Sequence, residues 1–113
     1  MHEMTLTESI VEMLEEEGRK QGFARVRRVR LEIGALGHVE PQAMEFCFEA
    51  VTRGTIAEGA RLDIVVTPGQ GWCFDCEKTT PLSERFGACA HCGGRHVQMN
   101  AGDELRVKEL EVA

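Results

Sequence analysis

Two cysteine pairs govern what this chain can become. Cys73 and Cys76 are separated by two residues, as are Cys89 and Cys92, and twelve residues lie between the pairs. Two residues between cysteines let both sulfurs of one tight turn reach the same metal ion. Two such turns supply four thiolates in a tetrahedron, the arrangement of a closed structural zinc site. Gly93 and Gly94, just after the second knuckle, give the backbone freedom near the metal. An iron–sulfur centre needs the same ligands, and spacing alone does not separate the two. Two disulfides fit less well, because the fifth cysteine, Cys47, makes the count odd. With all four positions filled by protein, no coordination site is open to water, so the metal is expected to be structural and not catalytic. His91 and His96 would be surplus to that shell and read as surface residues, and Trp72 reads as a packing residue.

Such a staple is needed. Residues 72–101 show little periodic apolar pattern and cannot bury enough surface to fold alone, and aromatics make up only 5% of the 113 residues, with no Tyr. The 13 Lys+Arg against 19 Asp+Glu give a net charge of -6, which argues against a nucleic-acid or anionic-membrane binder. The ribbon segment is itself balanced, Lys78, Arg85 and Arg95 standing against Asp75, Glu77 and Glu84. No apolar run approaches the roughly 18 residues of a membrane span. The acidic Met1-His2-Glu3 start lacks a basic stretch followed by an apolar one, so no secretory signal is read and a cytoplasmic protein is expected.

Around the cysteine segment the chain is periodic. Residues 5–17 read as a helix with Leu6, Ile10, Met13 and Leu14 on one face, a Thr5/Glu8 capping box, Glu12, Glu15, Glu16 and Glu17 in water, and Gly18 or Gly22 as the stop. Residues 28–34 alternate as a half-buried strand, Val29, Leu31 and Ile33 inward and Arg28, Arg30 and Glu32 outward. Pro41 opens a second helix through Met44, Cys47, Phe48 and Val51, stopped by Gly54. Cys47 on that stripe reads as a small buried hydrophobe. Residues 61–67 form a second strand, with Leu62, Ile64 and Val66 inward. In residues 104–112 Leu105 and Val107 are out of phase with Leu110 and Val112, which suggests a bulge. The expected fold is α+β: a small three-stranded sheet with two helices, interrupted by an inserted four-cysteine, zinc-ribbon-like domain. Residues 1–68 and 103–113 would make the α/β domain, and 69–102 the zinc-binding one.

The N-terminus offers a second metal site. The Met1 amine, the His2 amide nitrogen and the His2 imidazole can close a five- and a six-membered chelate ring. That nitrogen-rich planar set suits Ni(II) or Cu(II), and Glu3 or another carboxylate could complete it. No nucleophile–base pair, P-loop or paired-carboxylate motif stands at a recognisable spacing, so no enzyme is expected.

The opening Met1-His2-Glu3-Met4-Thr5-Leu6, the segment Val29-Arg30-Leu31-Glu32-Ile33-Gly34-Ala35-Leu36 and the four-cysteine element, in that order, resemble the HypA/HybF family of nickel metallochaperones for nickel–iron hydrogenase maturation. Val39-Glu40-Pro41, Phe46-Cys47-Phe48-Glu49, the Arg53–Gly59 segment and the terminal Val107–Val112 segment match as well, so the resemblance covers essentially the whole chain. It implies that the α/β domain binds nickel through His2, with Met1 and Glu3 as further donors and Glu40 as an additional carboxylate. It also implies that Zn(II) is structural and Ni(II) is cargo. The implied partners are a GTPase accessory protein and the hydrogenase large-subunit precursor, with the chain a monomer or homodimer. One departure is visible: the family often has Pro inside the second knuckle, where this chain has Cys89-Ala90-His91-Cys92. The alternative reading is a zinc-ribbon protein-interaction module with no part in metal delivery.

Overall fold

A computed structural model describes residues 2–113. The elements run α1 (His2–Gln21), β1 (Val26–Gly34), α2 (Pro41–Val51), β2 (Arg61–Thr67), β3 (Gly69–Cys73), β4 (Lys78–Leu82), β5 (Val97–Ala101) and β6 (Leu105–Val112). This is the expected mixed α+β architecture. One three-stranded sheet has the order β2-β1-β6, so the last strand rejoins the first two. The other, β4-β3-β5, is antiparallel throughout and carries the cysteine segment.

Helix α1 is longer than its periodicity suggested. It starts at His2, so Thr5 lies inside it and the Thr5/Glu8 capping box does not form. It stops at Gly22, whose φ of 79° only glycine adopts freely and whose N–H closes on the Gly18 carbonyl at 2.9 Å. The buried face is Thr7, Val11, Leu14 and Gly18, spaced 4, 3 and 4 apart. Leu6 and Ile10 flank it, while Met13 is 41% exposed, contrary to expectation. The face is rotated because a polar and a small residue can be buried here. The Thr7 hydroxyl donates to the Glu3 carbonyl at 2.7 Å and lies 3.5 Å from the Met44 sulfur. Gly18 permits close approach, since a Cβ there would stand 3.1 Å from Ile56 Cδ1. Nor is Glu15 merely solvated; its carboxylate accepts the Ile56 N–H at 3.0 Å.

On β1, Val26, Val29, Leu31 and Ile33 are buried. The outward arginines are not a free basic patch. Arg28 pairs with Asp63 of β2, and Arg30 with Glu109 of β6 at 2.8 Å. Pro41 is the first residue of α2 as expected, but the helix ends at Val51, before Gly54. The N–H and hydroxyl of Thr52 both close on the Phe48 carbonyl, at 3.0 and 2.7 Å. Cys47 is fully buried on this helix, a core residue as read. Strand β2 lies at a sheet edge, where less covers it, and Val66 is 52% exposed instead of facing inward. Val107 and Leu110 of β6 pack on the same core cluster, built from Leu14, Val26, Val29, Phe48 and Ala57. Their separation is odd, so one strand can present both to one face only by accommodating an extra residue between them.

The chain divides into two compact units. The first holds the segment ending at Leu31, then Val39–Val65 and Arg106–Ala113; the second holds Glu32–His38 and Val66–Leu105. The cysteine unit therefore takes in more chain than residues 69–102. Hydrogen bonds within it account for the addition. Gly34 N–H donates to the Glu104 carbonyl, Leu36 N–H to Gly102, and Arg85 Nε to Leu36, at 2.7, 2.6 and 3.1 Å.

Candidate metal centre

Strand β3 ends on Cys73, and the turn that follows carries Cys76 before β4 begins at Lys78. The register Cys73↔Lys78 makes this first knuckle the closed end of a hairpin. Glu77 completes the turn with a φ of 53°, a left-handed conformation that a side chain adopts at some cost. The second knuckle is built by the chain's own hydrogen bonds. Cys89 N–H donates to the Gly94 carbonyl at 2.8 Å, and Gly93 N–H to the Cys89 carbonyl at 2.9 Å. Gly93 has a φ of 74°, so the freedom read for this glycine is used. A third support left no mark in the sequence. The buried Thr80 hydroxyl of β4 accepts the Ala90 N–H at 2.9 Å and so pins the second knuckle to the first hairpin.

These turns bring the four sulfurs within 4.8 Å of one another. Cys73 and Cys92 stand 3.6 Å apart and Cys76 and Cys89 3.7 Å apart, with no disulfide formed. A tetrahedral ion with bonds of about 2.3 Å to sulfur, the zinc–thiolate length, requires sulfur separations of about 3.8 Å. The donor set thus fits a four-thiolate metal ion with no water position. His91 and His96 stay outside it: His91 Nε2 lies 3.2 Å from the Thr79 carbonyl, and His96 Nδ1 3.5 Å from Asp75. Trp72 is not packed as expected; it lies on the exposed face of β3, opposite the buried Gly71 and Cys73.

The thiols are not equivalent. The backbone N–H of Cys92, opposed by burial and then aided by that of His91, pulls the Cys89 thiol down to about 6. Burial first, and then the neighbouring thiols of Cys73, Cys89 and Cys92, push Cys76 up to about 12. Cys89 is therefore ready to bind as thiolate at neutral pH, and Cys76 must lose its proton to the incoming metal.

Of the N-terminal donors, Met1 lies outside the described residues. His2 and Glu3 form the first turn of α1, and Glu40 is the N-cap of α2. The three meet at the Glu3 carboxylate. Glu3 Oε2 lies 3.6 Å from His2 Nδ1 and accepts the Glu40 N–H at 3.3 Å. Glu40 Oε1 is turned to the Gln42 N–H at 3.2 Å. Among the described residues only the four cysteines converge as a metal-holding group, so His2, Glu3 and Glu40 are neighbours without a common focus. The Glu3 carboxyl is held below its ordinary value of 4.5, first by its own backbone N–H and then by that of Glu40. A depressed pKa makes this contact a stabilising one above pH 4.5, lost as acid protonates Glu3. Glu40→Ala should cost about 1 kcal/mol by uncapping α2, as urea unfolding would measure, while Glu40→Gln keeps an acceptor oxygen and should cost less.

The profile of the family described as "Hydrogenase/urease nickel incorporation, metallochaperone, hypA" matches residues 1–112. The chain belongs to the HypA family. It is 64% identical over 112 residues to the hydrogenase maturation factor HypA of Methylocella silvestris and 54% identical to that of Rhizobium leguminosarum bv. viciae, with 99% of each chain covered in both cases. Its structure resembles the solution structure of a HypA protein (TM-score 0.76, 27% identity, 100% of this chain and 97% of that one). It also resembles the solution structure of the Ni metallochaperone HypA from Helicobacter pylori (TM-score 0.72, 25% identity, 97% and 96% covered). The HypA family is one of metallochaperones and not of enzymes. No helix among the described residues is long and apolar enough to cross a membrane.

Proposed function

We propose that this chain is a nickel carrier of nickel–iron hydrogenase maturation. Ni(II) binds at the N-terminus through His2, with Met1, Glu3 and Glu40 as further ligands. Zn(II) sits between Cys73, Cys76, Cys89 and Cys92 and holds folded the second unit, of which residues 69–102 are the main part, while the first unit, drawn from residues 1–68 and 103–113, forms the nickel-binding domain. The carrier works in the cytoplasm with a GTPase accessory protein and passes nickel to the hydrogenase large-subunit precursor. The observation that carries this reading is the whole-chain match to a nickel-incorporation family, and it is supported by the meeting of His2 and Glu3 with the Glu40 backbone at the starts of the two helices.

The metals are divided by donor type. Four soft thiolates in a closed shell suit zinc, while an imidazole, an amine and carboxylates at a helix start suit nickel and let it leave again. Copper should bind the nitrogen-rich site at least as tightly in vitro, so selectivity rests on metal supply and partners.

Mass spectrometry under non-denaturing conditions tests the division. One zinc per chain is expected as purified, and added nickel should bind without displacing it. The same spectrum tells monomer from homodimer. Nickel entering only as zinc leaves would mean one shared site and would sink the reading.

A further inference from the structure

Within the first unit, a groove of about 640 Å³ runs between α2 and the segment that leads into β2. Phe48 and Leu62 line it with apolar surface; Glu45, Glu49, Glu58 and Arg53 supply its charges. Clefts of about 300–1,000 Å³ enclose ligands of several functional groups, so this one has room for more than a single side chain. None of its residues belongs to the thiolate cage or to the N-terminal donors.

The carboxylates stand where helix physics disfavours them. Glu45 and Glu49 are four residues apart on α2, a like-charged pair that weakens a helix. Glu49 also falls in the last turn, at the negative end of the helix dipole, and that turn carries no basic residue to offset it. Helix α1 has the same spacing of acids, but there Glu16 is answered by Arg19 and Lys20 at 3.7 and 3.9 Å. Glu45 and Glu49 have no ion-pair partner among the described residues, and neither does Arg53. Glu58 is tied to the chain, accepting the Gly54 N–H at 2.6 Å. Three carboxylates against one guanidinium, over an apolar floor, complement a cation carried on an apolar stem. Arginine and lysine side chains have that form, and arginine alone can fork between two carboxylates.

We propose that this groove docks a basic segment of a protein partner. An arginine or lysine of that segment lays its methylenes on Leu62 and on the small exposed edge of the otherwise buried Phe48 and brings its charge to Glu45 and Glu49, while neighbouring apolar residues fill the remaining length.

The probe is a blocked hexapeptide of alternating arginine and leucine, titrated into the 15N-labelled, zinc-loaded full chain and followed by amide shifts. Saturable shifts are expected around Phe48, Glu49 and Leu62. Replacing arginine by glutamate, or leucine by serine, should abolish them. The Glu45→Gln/Glu49→Gln protein should bind about tenfold more weakly, the loss of two surface ion pairs at the strong end of their range. The Glu8→Gln/Glu12→Gln protein changes net charge equally on α1 and should bind within about twofold of the parent. Equal loss in both variants, or shifts centred away from the groove, would overturn the proposal. So would a peptide-free dimer in sedimentation whose groove amides shift on dilution, since a second copy would then be the occupant.

Discussion

Cys73→Ala is expected to leave the second unit without metal and without a fold. Its sheet is three strands of five residues each, a length that gives little independent stability. Two of the buried positions on its central strand are Gly69 and Gly71, which bring almost no apolar area. The free energy of zinc binding to such sites, about 10–16 kcal/mol at neutral pH, is then most of the unit's folding energy. Amide exchange across residues 66–105 should accelerate to that of an open chain, and proteolysis should begin there. The first unit has a core of its own around Leu14, Val29 and Phe48, so the α1 and α2 amides should keep their protection. Chelation of the parent protein should reproduce the pattern, and so should acid. Metal binding at neutral pH must expel the proton of Cys76, so affinity rises with pH and falls as acid reaches Cys89, whose thiol sits at about 6. A Cys73→Ala protein that kept one tightly held zinc and a protected insert would show that the thiolate assignment is wrong.

His2→Ala should abolish nickel binding while zinc stays at one per chain, read by calorimetry beside metal analysis. A companion variant separates the imidazole from the amine. Adding Gly-Ser before Met1 keeps His2, but the Met1 nitrogen becomes a peptide nitrogen without a basic lone pair. The amine–amide–imidazole chelate can no longer close at that place, and nickel affinity should drop by orders of magnitude with helicity unchanged. His2 Nδ1, the nitrogen that the six-membered ring requires, faces the Glu3 carboxylate. Nickel must therefore part that contact before the ring can close. An extended protein binding nickel as well as the parent would remove the amine from the ligand set and leave His2 working with Glu3 and Glu40. Glu40→Gln should weaken nickel only mildly.

Spacing was enough to read the four-sulfur group, because a Cys-x-x-Cys turn dictates its own geometry. The inward residues of β1, the Pro41 start of α2 and the phase slip of β6 were legible for a related reason, each being a local pattern enforced by a buried face; the outward half of β1 was not, since Glu32, expected in water, is only 4% exposed. What stayed hidden depends on the far side of a contact. Nothing local says that Thr7 can be buried, because its permission comes from the Glu3 carbonyl and the Met44 sulfur. The second sheet escaped because three of the five buried positions on β3 and β4 are Gly69, Gly71 and Thr80, which no apolar count registers. Thr80 as the prop of the second knuckle was likewise unreadable, since Ala90 lies ten residues away and donates a backbone N–H. Of the proposed nickel donors, the residues themselves offered identities, and the fold adds that Glu3 lies beside His2 and is tied to the start of α2.

The glycines that bound the insert carry a consequence for how such a chain can change. A Cβ on Gly102 would stand 2.6 Å from the Gly69 Cα, so the strand entering the cysteine segment and the strand leaving it run backbone against backbone. Thr67 and Glu104, just outside that crossing, are linked by a hydrogen bond of 2.9 Å. A stretch of chain whose two ends meet like this is a cassette. It can be lengthened, exchanged for another module or cut back to a short turn without pulling its flanking strands apart, because the closure is made by the chain on either side of it. The crossing itself does not tolerate change: a side chain at Gly102 would force the two backbones apart, and one at Gly69 would collide with the Leu82 carbonyl and the Leu36 side chain.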